Sequence, residues 1–72
     1  MNNNSQKYYK SIFKDYPDVV NVKQLQTMLG GISKKLAYNL LKNNFINSIK
    51  IGRQYKIAKA DVILYLTQNN SS

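Results

Sequence analysis

Two adjacent glycines, Gly30-Gly31, stand between two short segments that each carry their own helix-start signal. That punctuation constrains the fold more than any other feature. A single long helix across residues 22–42 is ruled out, because glycine readily takes the left-handed conformation in which helices end. Upstream, Asn21 is a suitable cap and Gln24, three residues on, completes a capping-box pattern. Leu25, Met28 and Leu29 then give the i, i+3, i+4 stripe of a buried face. Downstream, Ser33 is the next cap candidate. Leu36, Ala37, Leu40 and Leu41 form the expected apolar face, while Lys34, Lys35, Tyr38, Asn39 and Lys42 spread over an arc of about 140° with no acid among them. Asn43-Asn44 closes this second helix.

Two short helices joined by a glycine-containing turn make a helix-turn-helix unit. Beyond it, Ile49 and Ile51 alternate with Lys50, and Tyr55 and Ile57 alternate around Lys56. Two period-two runs meeting at Gly52-Arg53 predict a β-hairpin with a tight turn. Its apolar face, Tyr55 included, is expected to cover the core while Lys50 and Lys56 point outward. From Lys59 to Thr67, the spacing of Val62, Ile63, Leu66 and Tyr65 predicts a last helix, with Asp61 at the positive end of its dipole. At the N-terminus, Tyr9, Ile12, Phe13 and Tyr16 predict a short amphipathic helix from Lys7 to Tyr16, ended by Pro17. Residues 1–6 and Gln68 to Ser72 read as disordered tails. The expected architecture is mainly α with a small β-hairpin. Residues 1–18 form tail and optional helix, 19–67 the domain in the order helix, helix, hairpin, helix, and 68–72 a second tail.

Composition narrows the function. The chain has 72 residues, ten lysines and one arginine against Asp15, Asp18 and Asp61, a net charge of +8. A field of that sign concentrates polyanions, so nucleic acid is the expected partner; the alternative is a protein that is basic without consequence. Cysteine and histidine are both absent, which removes the usual thiolate and imidazole chemistry, and no carboxylates are paired. No enzyme activity, metal or other cofactor is expected. No apolar run approaches the roughly 20 residues that span a bilayer, and a membrane-surface role would expose apolar faces that the core needs. The expected location is the cytoplasm.

The string from Val20-Asn21-Val22-Lys23-Gln24-Leu25 through Leu29-Gly30-Gly31-Ile32-Ser33 to Tyr38-Asn39-Leu40-Leu41 resembles the start of an excisionase-type DNA-binding domain. The continuation, Ile49-Lys50-Ile51-Gly52-Arg53-Gln54-Tyr55-Lys56-Ile57 followed by Asp61-Val62, resembles its wing. The resemblance covers about two-thirds of the chain and implies a MerR-like winged helix-turn-helix. It departs from the family pattern at Gln26 (usually a small residue), at Ala58 (usually proline) and in the second glycine of the turn. It implies a bacterial or mobile-element protein, an architectural factor in site-specific recombination that works near an integrase or other recombinase.

Specific roles follow from chemistry. Asn39 is the candidate for reading a base, since its amide pairs bidentately with adenine. Lys34, Lys35 and Lys42 are candidates for phosphate contacts, with Ser33 assisting through its hydroxyl or the helix amides. Tyr38 faces the same arc; its alternative is to pack along the helix. On the wing, Arg53 at the tip suits a narrow minor groove, with Gln54, Lys50 and Lys56 beside it; the alternative is that Gly52-Arg53 are ordinary turn residues. Six basic residues and no acid lie between Ser33 and Ile57. One short helix and one wing read too few base pairs to find a genomic site alone, at about 1–3 kcal/mol per bidentate contact. Several copies side by side on double-stranded DNA are therefore expected, with the segment from Lys7 to Tyr16 a candidate for contacts between protomers or with a recombinase. A small transcription regulator, a DNA-organising (partition) protein or a protein-interaction module are the competing readings.

Overall fold

The computed structural model describes residues 3–69. Along the chain they form α1 (Asn3–Ile12), β1 (Val19–Val20), α2 (Val22–Met28), α3 (Lys34–Lys42), β2 (Ile49–Ile51), β3 (Gln54–Ala58) and α4 (Lys59–Asn69).

The ends of α2 and α3 are built by local hydrogen bonds. The Gln24 N–H donates to the Asn21 side chain at 2.8 Å and the Asn21 N–H donates to the Gln24 side chain at 2.9 Å, a complete capping box. At the other end the Gly30 N–H donates to the Thr27 carbonyl (3.1 Å) and the Gly31 N–H to the Gln26 carbonyl (2.8 Å). That is the paired bonding of a Schellman motif, and φ of +89° at Gly30 suits a residue without a Cβ. The same grammar recurs in α3. Ser33 Oγ accepts from the Leu36 N–H at 3.1 Å. The C-terminal stop is Asn44, with φ of +62°; its N–H reaches the Leu41 carbonyl at 3.2 Å and the Phe45 N–H reaches Leu40 at 2.9 Å.

The sheet has three antiparallel strands in the order β1-β3-β2. β1 pairs Val19 with Ala58 and Val20 with Ile57; a two-residue strand is too short to show alternation in sequence, so this edge was not foreseen. The hairpin turn is Gly52-Arg53 as expected, with Ile51 opposite Gln54. φ is positive at Gly52 (+62°) and not at Arg53, the pattern of a type II′ turn.

That turn overturns the expected hairpin face. Directly opposed residues share a face, and the register sets Ile49 against Lys56 and Lys50 against Tyr55. Ile49, Ile51, Gln54 and Lys56 therefore share the outer face, while Lys50 and Tyr55 share the inner one with Ile57. Ile57 is fully buried, whereas Ile49 is 67% and Ile51 61% exposed. A two-residue loop changes the parity of the inward positions between the strands, so alternation within each strand does not say which runs coincide.

The core joins Leu25 and Met28 of α2, Ala37 and Leu41 of α3, Val20, Ile46 and Ile57, and Val62 and Ile63 of α4. Leu36, expected among them, is 46% exposed; it lies about 100° round the helix from Ala37 and 140° from Leu41. Phe13 is also buried, flanked by Tyr9 (5.9 Å, stacked) and Tyr16 (5.6 Å, edge-on). α1 thus spends its aromatic side on the domain itself, leaving Tyr8 and Ile12 exposed. The Lys59 ammonium donates to the carbonyls of Phe13 (3.3 Å) and Tyr16 (2.9 Å). α1 stops at Ile12 instead of reaching Tyr16, and it starts at Asn3, inside the stretch expected to be a tail. Likewise residues 68–69 extend α4; of the expected tails, residues 1–2 and 70–72 lie outside the described residues. Among the described residues no helix is long and apolar enough to cross a membrane.

Candidate nucleic-acid interface

The burial of Ala37 and Leu41 fixes how α3 is turned. Lys35, Asn39 and Lys42 then lie on the ridge farthest from the core and are exposed. Lys34 and Tyr38 lie on the flank of that ridge and turn toward the wing. Ser33 caps the helix with its oxygen and keeps its hydroxyl proton for an acceptor outside.

Beside the ridge runs a groove of about 910 Å³ between the starts of α2 and α3 and the wing. Lys34, Tyr38, Arg53, Gln54 and Lys56, all anticipated, line it together. Four cations, Lys23, Lys34, Arg53 and Lys56, share this wall with no Asp or Glu. All four are exposed, and clustered like charges without counter-charge attract an anion.

Asn21, Lys23, Gln26 and Thr27 of the α2 side were not anticipated. Their signal was present: Lys23, Gln26 and Thr27 stand at i, i+3 and i+4, a polar stripe beside the apolar one. Gln26 has a second duty. Its Nε2 donates to the Ile32 carbonyl at 3.0 Å, and its own carbonyl accepts from Gly31. The side chain thereby spans the two-glycine turn, which explains a long amide where a small residue is usual.

Lys50 behaves differently from the other wing cations. It does not line the groove; it is exposed as expected, but on the hairpin face shared with Tyr55, its Nζ 5.4 Å from the centroid of that ring. Tyr55 in turn meets Tyr38 at 5.8 Å. Tyr55 is half-buried, packed against the core as foreseen. The tyrosine pair joins the helix that carries the ridge to the strand that carries the tip.

A family model described as a helix-turn-helix domain matches residues 19–70. The chain belongs to this helix-turn-helix family. The match begins at β1 and takes in α2, the turn, α3, the hairpin and α4, leaving α1 outside. No curated protein and no solved structure matches the chain. In this helix-turn-helix protein α3 holds the place of the recognition helix, the β2–β3 hairpin is a wing, and the partner is DNA.

Proposed function

We propose that this protein reads double-stranded DNA with α3 in the major groove and the wing at the adjacent minor groove. In this reading it acts as an excisionase, a recombination directionality factor of a bacterial mobile element. Several copies bind side by side, near a recombinase that they help to steer, and the protein itself performs no catalysis. The observation that supports this reading is the joining of Lys23, Lys34, Arg53 and Lys56 in one acid-free groove next to the ridge of Lys35, Asn39 and Lys42. Width favours the major groove for α3, where Asn39 meets base edges and the lysines meet phosphates. In this reading Arg53, at the hairpin tip, enters a minor groove narrowed by A·T pairs.

Selection of duplexes from a random pool at physiological salt tests the reading. A defined motif is expected, and its absence would remove sequence reading. On that motif Asn39→Ala should lose about 1–3 kcal/mol of preference at one base pair. Lys34→Ala with Lys35→Ala should weaken every duplex and flatten the log–log salt slope by roughly 0.9 per lost contact. Excision by the integrase of the same element, with and without the protein, separates this role from transcription control or partition, which use the same geometry.

A further inference from the structure

Leu36 is a large apolar residue of α3 that the core does not use. It is 46% exposed, although Ala37 beside it and Leu41 are buried. At about 100° per residue it lies roughly 60° round the helix from Asn39, the outermost residue of the ridge. It stands on the flank away from the wing. Lys34 and Tyr38 occupy the other flank and line the cationic groove, which Leu36 does not. Its place along α3 is fixed as well. The Leu36 N–H donates to Ser33 Oγ at 3.1 Å, so the residue sits in the first turn, and base edges are met by the N-terminal part of a recognition helix.

This flank differs in chemistry from the ridge. Lys35, Asn39 and Lys42 are exposed ammonium and amide groups, whereas Leu36 and, one turn on, half-buried Leu40 offer only hydrocarbon. A phosphate gains nothing from an isobutyl group. The major groove, in contrast, displays one apolar feature, the 5-methyl group of thymine. We infer that Leu36 packs against the 5-methyl group of a thymine, which makes it a second sequence-reading residue of α3 beside Asn39. This inference rests on the DNA-binding reading and adds to it a base and the group recognised on that base. Three helical residues rise about 4.5 Å, close to the roughly 3.4 Å between base pairs. The thymine therefore belongs to the base pair met by Asn39 or to the pair next to it. Taking one methyl-sized group out of water is worth roughly fourfold in affinity.

The test uses the full chain and the duplex selected from the random pool. Each thymine within one step of the Asn39-dependent base pair is replaced singly by uracil, which keeps the pairing and removes the methyl. The wild type should lose roughly three- to fivefold at one such thymine. Leu36→Ala should bind the thymine duplex about as weakly as the wild type binds that uracil duplex, and should not distinguish the two. Leu36→Met keeps an apolar side chain of similar size and should retain the distinction. On random duplex both variants should match the wild type within about twofold, because the phosphate contacts are untouched; thermal melts report folding. Equal binding of the wild type to every thymine and uracil duplex overturns the inference. So does a Leu36→Ala that keeps the wild-type preference, which would assign the flank to contact with another protein. Equal weakening of Leu36→Ala on all duplexes, random ones included, also overturns it, since a packing role acts without regard to the base. Absence of any selected motif removes base reading and this inference together, whereas a motif insensitive to its thymine methyls overturns this inference alone.

Discussion

The rings of Tyr38 and Tyr55 meet at 5.8 Å between centroids, tilted by 57°, and this contact gives the recognition helix and the wing a common orientation. Lys50, though exposed, lies over the same Tyr55 ring at 5.4 Å, so a cation of the wing contacts the pair. An interface held before DNA arrives loses less conformational freedom on binding.

Tyr55→Ala should therefore lower stability by about 1–2 kcal/mol, a fall in Tm of roughly 5–10 °C. It should weaken DNA binding further than that loss explains. Tyr55→Phe keeps the ring and should hold both properties near wild type. Thermal melts and duplex titrations of the two variants check this; equal DNA affinity for Tyr55→Ala and wild type, measured well below Tm, would separate the ring pair from wing placement.

Two lysines that composition cannot tell apart should differ in kind. Lys23 lines the cationic groove, so Lys23→Ala should flatten the salt slope by about 0.9 with little change in folding. Lys59 holds the carbonyls of Phe13 and Tyr16. Lys59→Met should cost about 1–3 kcal/mol of stability and leave the slope unchanged. Salt titrations beside denaturant unfolding separate the two; a flattened slope for Lys59→Met would contradict the assignment.

Asn44 ends α3 at φ of +62°. A β-branched residue pays about 1–2 kcal/mol for that conformation, whereas glycine takes it freely. Asn44→Val should be destabilised by that amount in urea unfolding, with Asn44→Gly equal to wild type or slightly better.

Gln26 donates to the Ile32 carbonyl across the turn. Gln26→Ala should cost about 1 kcal/mol of stability. Gln26→Glu keeps the size, loses the donor and adds an anion to a groove that has none, so its DNA affinity should fall well below that of Gln26→Ala. Matching affinities for the two would place Gln26 away from the phosphates.

The readable parts of this protein are those governed by residues three to five apart. Asn21 with Gln24, Ser33 before Leu36, and Gly52-Arg53 in the hairpin were legible because each forms hydrogen bonds within its own turn. The cationic arc of α3 was legible because helical spacing places side chains by angle alone. Lys23 and Gln26 were not legible as groove residues because that place comes from facing α3 and the wing, which lie farther along the chain.

From its sequence alone, then, the chain determined where α2 and α3 begin and stop, where the hairpin turns, and that α3 bears cations without acids, since all of these are short-range effects of backbone hydrogen bonding and side-chain angle. Only the tertiary structure decided that Val19-Val20 becomes a third strand, that Ile49 and Ile51 face solvent, that Lys50 lies over a ring and Lys59 clasps the end of α1, and that Lys23 joins Arg53 in one groove. Those outcomes depend on strand register and on packing between distant segments, and no local pattern encodes either.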